Sequence, residues 1–271
     1  MSTFEILCVT MNQKDFSKIE SMNIKSNVLF ANQSNESSMK ETEFSGHTAR
    51  MITTATKGVG LNRNIALMHA QGDICLMADD DVTYADDMES RVMAEFDAHP
   101  DADIVIFHFD TDDIERKQKR YEKTRKCTRW ERMPWAGFRI AFRLNSIKKA
   151  NVWFTSLFGG GCIFPSGEDS KWLIDAKRSG LTIYVSKETI GSVSFKKSTW
   201  FTGVNEKFFY GKGAFYQALH PKTFGIWKYY FAFRTRTMCD LSIRQKCKWL
   251  DYGRKGYIKM ISFEEFKKSI E

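Results

Sequence analysis

Short apolar runs alternate with amphipathic segments along the first 190 residues of the chain. Almost continuous apolar character, typical of strands buried on both faces, occurs in residues 4–10, 27–31, 75–78 and 103–109. Apolar residues at helical spacing occur in residues 61–70, which follow a glycine pair, and in residues 85–99, which precede Pro100. This alternation predicts an α/β fold with a mostly parallel, Rossmann-like sheet and helices on both of its faces.

The remaining segments are less regular. Residues 34–46 are polar and predict a loop, and residues 50–54 predict a short strand. Residues 110–135 are highly charged and predict an exposed excursion, after which core character returns at residues 138–142 and 181–185. Beyond Gly191 the periodicity is lost and aromatic residues dominate. With 271 residues and 42% hydrophobic content, the chain can build one substantial core followed by a tail.

Charge and cysteine usage indicate the surroundings in which the protein works. The formal net charge is +8, and residues 211–260 hold eleven basic residues against two acidic ones, which favours anionic partners. Six scattered cysteines without a C-x-x-C pair fit reduced thiols in a cytoplasmic protein and indicate no zinc site. We find no signal peptide pattern and no apolar run of about 18 residues, so we expect a protein that does not span a membrane.

Three consecutive carboxylates, Asp79, Asp80 and Asp81, end the apolar run of residues 75–78. Held together, they would repel one another and raise each other's pKa unless a divalent cation or solvent compensated their charge. The carboxyl end of a strand is also the usual ligand position in an open α/β sheet. The alternative is a solvated acidic turn that leads into the next helix.

A second acidic site, Glu168 and Asp169, follows Gly167 and opens a helical pattern. The positive end of a helix dipole favours an ionised carboxylate at this position. One interpretation is that either residue only caps the helix. The other is that this site supplies a proton acceptor, while the upstream aspartates suit a cation.

Taken together, three sequence motifs resemble the family 2 glycosyltransferases. They are residues 58–67 (GVGLNRNIAL), residues 70–82 (AQGDICLMADDDV) and residues 167–170 (GEDS), in the order and spacing of that family. The resemblance covers roughly the first 190 residues. It implies the GT-A fold and an inverting transferase that uses a nucleotide-sugar donor, with UDP-sugars favoured. Residues 198–201 (STWF) and 211–213 (GKG) also resemble bacterial capsule or surface-polysaccharide transferases.

The resemblance implies a role for each acidic residue. A divalent cation, Mn²⁺ or Mg²⁺, would neutralise the leaving diphosphate. Asp81 is then the expected metal ligand, and Asp79 is the first acid of the Asp-x-Asp motif, near the ribose or the metal. If the motif is shifted by one residue along the chain, Asp80 takes either of these roles. Asp169 is the expected base for the acceptor hydroxyl, with Glu168 holding the acceptor or orienting the loop. Gly159, Gly160 and Gly161 would let the backbone approach the acceptor sugars closely, and an ordinary mobile loop explains them equally well.

The donor nucleotide is expected across the carboxyl ends of the first strands. The resemblance assigns donor contacts to Thr10, Met11, Asn12, Gly58 and Arg63. Two features depart from the family pattern. Asn32 stands where many relatives have an aspartate that contacts the base. Many relatives also have a histidine that joins the metal, but residues 193–195 contain no histidine.

These assignments divide the chain into a catalytic domain, residues 1–195, and a C-terminal helical extension, residues 196–271. The donor-binding part is expected at about residues 1–109 and the acceptor part at about residues 136–195. The aromatic and basic extension suits a peripheral anchor at the inner face of the cell membrane, next to a glycan or lipid-linked saccharide acceptor. A helical subdomain packed on the core explains it equally well.

Two other functions compete with sugar transfer. A single-stranded nucleic-acid-binding protein also interleaves basic and aromatic residues, but that function leaves both acidic sites unexplained, so no nucleic-acid partner is expected. A metal-dependent nucleotidyltransferase needs a nucleotide and a metal on a similar sheet. Such enzymes usually carry a glycine-rich phosphate loop after the first strand, whereas residues 11–15 contain no glycine.

Overall fold

The computed structural model describes residues 2–112, 120–128, 131–194 and 203–270. The predicted STWF motif at residues 198–201 and the charged residues 113–119 lie outside the described residues, as does position 195 of the segment examined for a histidine. Within the described residues, one compact unit comprises residues 2–155 with 169–194, and another comprises residues 156–168 with 203–270. Residues 156–168, which the sequence assigns to the catalytic domain, therefore cluster with the C-terminal helices. The domain limits stay a prediction.

The strands of the first unit include every apolar run that predicted a strand. They are β1 (Phe4–Met11), β2 (Asn27–Gln33), β3 (Ser38–Phe44), β4 (His47–Thr54), β5 (Ile74–Asp79), β6 (Val82–Tyr84), β7 (Ile104–Thr111), β8 (Arg125–Lys126), β9 (Ile140–Arg143) and β10 (Ile183–Val193).

Helices cover this sheet and also make up the second unit. They are α1 (Lys18–Ser21), α2 (Val59–His69), α3 (Met88–Ala98), α4 (Leu144–Lys149), α5 (Glu168–Arg178), α6 (Glu206–Leu219), α7 (Phe224–Arg234), α8 (Ile243–Lys259) and α9 (Phe263–Lys268). None of the helices formed by the described residues combines the length and the apolar character needed to cross a bilayer.

Among the described residues, ten strands form one sheet in the order β3-β4-β2-β1-β5-β9-β7-β10-β6, with β8 paired to β10. The α/β class is confirmed, but the sheet is mixed rather than mostly parallel. Strands β4, β2, β1 and β5 pair in parallel, as do β7 and β10, whereas β9 lies antiparallel between β5 and β7. The apolar pattern could not show this direction, because a buried strand has the same composition in either orientation.

The predicted loop at residues 34–46 is wrong, because residues 38–44 form strand β3. This strand pairs antiparallel with β4 at the edge of the sheet, and its side chains are almost all exposed. Ser45 and Gly46 both have positive φ angles, 46° and 81°, as a two-residue hairpin turn of type I′ requires. An exposed edge strand has no buried face, so it lacks the apolar alternation that indicates a strand.

Both faces of the sheet are buried. Leu7 and Val9 of β1 belong to a core cluster that also contains Trp172, whereas Ile6 and Cys8 belong to a second cluster that also contains Phe107. Successive residues of a strand point to opposite faces, so the two clusters lie on the two sides of the sheet. This burial explains the continuous apolar runs and holds the carboxyl ends of β1, β2 and β5 side by side.

In the second unit, α6 and α8 approach each other closely at glycines. A Cβ atom on Gly213 would overlap the Leu250 carbonyl group, and one on Gly253 would overlap the Tyr210 carbonyl group. The buried Tyr210 hydroxyl donates a hydrogen bond of 2.7 Å to the Ile261 carbonyl oxygen. Gly213 belongs to the GKG motif, so at least one residue of that motif has a packing role.

Candidate active site

Arg63 joins the two acidic sites that the sequence separates. Its guanidinium group donates to Asp79 Oδ1 at 3.0 Å and forms an ion pair with Asp169, which lies 106 residues away along the chain. The Arg63 side chain is only 3% exposed and lies 5.4 Å from the centre of the Phe154 ring. A buried arginine is stable when its charge is paired and its donors are used, and two carboxylates supply both conditions.

Asp169 is held by a second donor. The backbone N–H of Gly137 donates to Asp169 Oδ2 at 2.7 Å, so each carboxylate oxygen has a partner. Asp169 lies in the first turn of α5, where the helix dipole favours a negative charge. A side chain at Gly137 would crowd this pair, because its Cβ atom would lie 2.7 Å from Arg63 Nη2 and 3.0 Å from Asp169 Oδ1.

The other two aspartates have different surroundings. Asp80 Oδ2 accepts a hydrogen bond of 2.6 Å from the Thr10 hydroxyl and lies 3.6 Å from Lys18 Nζ. Asp81 follows the end of β5 and is exposed. Neighbouring protein atoms remove part of the water around its carboxyl group, and together with the charges of Asp79 and Asp80 they raise its pKa to about 6. Added positive charge at this position would relieve the repulsion.

The predicted base-binding residues lie at the carboxyl ends of β1 and β2. Asn32 accepts a hydrogen bond from the Gln13 N–H at 2.9 Å and donates to the Gln13 carbonyl oxygen and to the Thr53 hydroxyl. Its amide therefore holds the segment that follows β1. Met11 is 65% exposed, and Asn12 has a φ angle of 55°, in the left-handed region.

A cavity of about 360 Å³ opens beside these residues. Its volume is within the usual range for small-molecule sites. Polar and charged side chains of the loops after β1 and β2 and of the β3-β4 hairpin line it: Asn12, Gln13, Lys14, Ser34, Glu36, Ser38, Lys40 and Thr53. Gly58, the remaining predicted donor residue, has a φ angle of 114° and donates its N–H to Gln33 Oε1 at 2.7 Å.

Helix α2 carries further residues that our sequence analysis missed. Asn62, fully buried, donates to the carbonyl oxygens of Ala31 at 2.7 Å and Thr10 at 3.3 Å, and so holds the ends of β1 and β2 together. Asn64 exchanges two hydrogen bonds of 2.8 Å with the backbone of Phe154, whose ring lies beside Arg63. Both asparagines lie in the motif of residues 58–67, so only their roles were missed. Gly137 had no sequence signal.

Glu168 and the predicted acceptor loop belong to the second unit. Gly159 and Gly161 have positive φ angles of 106° and 77°, and the loop is closed by a hydrogen bond of 2.8 Å from the Gly159 N–H to the Phe164 carbonyl oxygen. Burial lowers the pKa of the nearby Lys212, and the Glu168 charge opposes that effect. The Lys212 ammonium group lies 5.5 Å and 5.4 Å from the centres of the Phe208 and Phe215 rings.

Comparison with known proteins connects this geometry with a family. Residues 36–159 match the model of the family described as "Glycosyl transferase family 2". This region contains Arg63, the three aspartates and Gly137. The protein is a glycosyltransferase, and its residues 36–159 are similar to family 2. No curated protein matched the chain in a search of their sequences.

The glycosyltransferase also resembles solved structures of S. aureus TarS. TarS 1–349 in complex with UDP matches with a TM-score of 0.53 and 16% identity, over 99% of this chain and 78% of that one. The complex with UDP-GlcNAc gives a TM-score of 0.51 and 16% identity, over 97% and 77%. A longer TarS structure gives 0.52 and 14% identity, over 94% and 43%. At this identity the similarity concerns the fold, and it confirms the GT-A fold.

Proposed function

We propose that this glycosyltransferase is an inverting enzyme that transfers a sugar from a nucleoside-diphosphate sugar to a hydroxyl group of a saccharide. The observation that carries the proposal is the position of Arg63, which binds Asp79 at the end of β5 and Asp169 at the start of α5. Inverting transfer needs a donor site and a proton acceptor close together, on opposite sides of the anomeric carbon. Arg63 holds Asp79, the proposed donor-site carboxylate, close to Asp169, the proposed proton acceptor.

Asp169 is the proposed base. The acceptor hydroxyl oxygen would form a bond to the anomeric carbon while the bond to the diphosphate oxygen breaks. The hydroxyl proton would pass to the Asp169 carboxylate, and the nucleoside diphosphate would leave. Arg63 and the Gly137 N–H fix the orientation of the carboxylate, and this positioning supports its role as a base.

For the donor nucleotide we favour UDP. The exposed Met11 side chain offers an apolar surface to a flat base, and the cavity beside Asn12 holds polar groups for the nucleoside. Asn32 is buried, so it contributes through the Gln13 segment that its amide holds. The TarS complexes with UDP and UDP-GlcNAc, whose folds match nearly the whole chain, support this choice of nucleotide.

Asp81 and Asp79 are the proposed ligands of a divalent cation, Mn²⁺ or Mg²⁺. The raised pKa of Asp81 and the adjacent carboxylates fit a cation, since all the donor atoms are oxygens. Within the described part of the chain, no group of three or more histidine, cysteine, aspartate or glutamate side chains is arranged to hold a metal. Such ions are often bound by one or two carboxylates together with substrate phosphates. When bound, the ion would neutralise charge on the leaving diphosphate.

For the acceptor, we propose a glycan or a lipid-linked saccharide used in bacterial surface-polysaccharide or capsule synthesis. Glu168 and the loop of Gly159, Gly160 and Gly161 are the proposed acceptor contacts, because glycines have no side chain and let the loop backbone approach a ligand closely. The GKG motif at residues 211–213 supports the choice of acceptor class. A lipid-linked acceptor would require the enzyme to work at the inner face of the cell membrane, and we propose a peripheral location there.

The substitution Asp169→Asn tests the proposed base. We expect UDP release from a panel of UDP-sugars to fall by about 10²- to 10⁴-fold, the usual contribution of a general base. Calorimetric binding of UDP with Mn²⁺ should change much less than UDP release, because Asp169 is not a proposed contact of the nucleotide and Arg63 keeps its ion pair with Asp79.

Asp175→Asn is the matched control, since Asp175 lies on the same helix and pairs with Lys171 at its surface. It should leave both measurements unchanged. Normal UDP release by Asp169→Asn would refute Asp169 as the base.

A further inference from the structure

Helix α7 exposes an apolar face to solvent. Ile226, Tyr229, Tyr230 and Phe233, which we call the α7 face, follow the i, i+3, i+4, i+7 spacing and therefore lie along one side of the helix. Ile226 is 71% exposed, Tyr229 63% and Phe233 59%. Single exposed apolar residues are common on proteins, but a continuous row along one helix indicates an interaction site.

The opposite side of α7 already packs against its own unit. Phe224 and Ala232 are buried, and Lys228 forms an ion pair of 2.9 Å with Asp251 of α8. The fully buried Lys246 donates to the carbonyl oxygens of Thr235 and Arg236, which follow the end of α7. These contacts fix the rotation of α7, so the α7 face is held outward and is not needed for the packing of the helices.

Positive charge surrounds the α7 face. Each of its aromatic residues has a cation beside it: Lys228 Nζ lies 4.8 Å from the Tyr229 ring centre, Arg236 lies 4.7 Å from that of Phe233, and Arg234 donates to the Tyr230 hydroxyl at 3.3 Å. The sequence from residue 207 to residue 239 contains six lysines and arginines and no aspartate or glutamate. Lys228 and Lys207 are paired with Asp251 and Glu264, so the surface combines an apolar strip with the positive charge of Lys222, Arg234 and Arg236.

We propose that the α7 face is a docking surface for an anionic lipid membrane, with α7 lying in the plane of the interface. Ile226 and Phe233 would enter the boundary between headgroups and acyl chains, the tyrosine hydroxyls would stay at headgroup level, and Lys222, Arg234 and Arg236 would contact lipid phosphates. The surface gives the proposed peripheral location a defined site. It does not depend on the transfer chemistry.

The charge distribution favours lipid over two other occupants. A symmetric contact between two α7 faces would bring the cations of both copies together, which like-charge repulsion opposes. A single-stranded nucleic acid would stack its bases on aromatic rings, but the most exposed residue of the face is the aliphatic Ile226, which offers no such platform.

The test is co-sedimentation of the full-length protein with vesicles of phosphatidylcholine alone or with about 30% phosphatidylglycerol, an anionic lipid. We expect binding to the anionic vesicles that weakens at high salt. The double substitution Ile226→Ser with Phe233→Ser should lower the partition coefficient by about tenfold or more. Lys222→Glu with Arg236→Glu should lower it by at least about fivefold for each lost cation.

Ile258→Ser is the matched control, because Ile258 is 61% exposed in the same unit but lies on α8. It should bind vesicles like the unchanged protein. Equal binding by the Ile226/Phe233 variant, absence of binding to anionic vesicles, or a dimer that this variant dissociates would each overturn the proposal. UDP release without vesicles, measured on the same samples, separates failure of membrane docking from failure of the proposed transfer reaction.

Discussion

At the scale of single residues, the candidate site depends on how one buried cation is shared. Arg63 pairs with a carboxylate from the end of β5 and another from the start of α5, and Phe154 shields it from solvent. Losing either carboxylate would leave a buried charge only partly compensated, and this is costly in a protein interior. The same contacts that stabilise Arg63 therefore also hold the two acidic groups at a fixed separation.

Gly137→Ala should damage the site while leaving the fold intact. The added methyl group would lie within 3.0 Å of both Arg63 and Asp169, so this ion pair must shift. Small displacements of catalytic groups can cost about 10²-fold in rate. We expect UDP release from a UDP-sugar to fall by about tenfold to a hundredfold. The melting temperature should move by only a few degrees.

Gly225→Ala serves as the control for this variant, because a Cβ atom there has no neighbour within 4 Å. It should keep full UDP release. If Gly137→Ala is also fully active, the precise position of the Arg63–Asp169 pair does not limit the reaction.

The sequence identified the three aspartates but could not assign their separate partners. Neighbouring residues at a strand end point in different directions, so each meets different contacts. Asp79 meets Arg63, Asp80 meets Thr10, and Asp81 lies beyond the strand. Gly137 could not be found from the sequence, because its contribution is a backbone N–H that any residue except proline possesses.

At the scale of secondary-structure elements, apolar periodicity located the buried elements well and the exposed ones poorly. Helix α2 was predicted over residues 61–70 and forms at Val59–His69, because its apolar side faces the core. The exposed strand β3 was missed since its sequence has no buried face to reveal it. The close approach of α6 and α8 was also not apparent, because a glycine in a helix does not indicate which helix packs against it.

Gly253→Ala should destabilise the second unit. The new methyl group would overlap the Tyr210 carbonyl group of α6, and the two helices would have to separate. Overpacking of this kind costs about 1–3 kcal/mol of unfolding free energy. The measurement is urea unfolding followed by circular dichroism.

Gly225→Ala should instead raise the free energy of unfolding in the same measurement. Alanine is favoured over glycine in a helix by about 1 kcal/mol, and this position has open space around it. If Gly253→Ala and Gly225→Ala have the same free energy of unfolding, the close contact of α6 and α8 at Gly253 does not contribute to the stability of the second unit.

At the scale of the whole molecule, the net charge of +8 and the carboxylates at the end of β5 have opposite roles. The overall positive charge favours approach of an anionic donor such as a nucleoside diphosphate. The local cluster of Asp79, Asp80 and Asp81 would repel the same diphosphate. A cation between the aspartates and the phosphates would remove this conflict, so we expect the nucleotide and the metal to bind with positive cooperativity.

Thermal unfolding can measure this cooperativity. UDP at about a hundred times its dissociation constant should stabilise the protein by about 2.7 kcal/mol, which raises the melting temperature by several degrees. With Mn²⁺ present, a lower UDP concentration should produce the same shift. GDP, dTDP and CMP should give smaller shifts if UDP is the donor nucleotide.

Asp81→Asn should remove the Mn²⁺-dependent part of the shift while keeping the part due to UDP alone. Asp97→Asn, at an exposed position on α3, is the control and should keep both parts. An unchanged Mn²⁺ effect in Asp81→Asn would exclude Asp81 as a metal ligand.

The sequence by itself determined the α/β class, the buried strands, and the family that its motifs resemble, because burial and local turns leave regular patterns along the chain. The tertiary structure decided the mixed direction of the sheet, the pairing of Arg63 with two distant carboxylates, and the outward rotation of the α7 face. These features depend on which elements pack together. Local sequence patterns record how deeply a residue is buried, and only the packed fold determines which residues it meets.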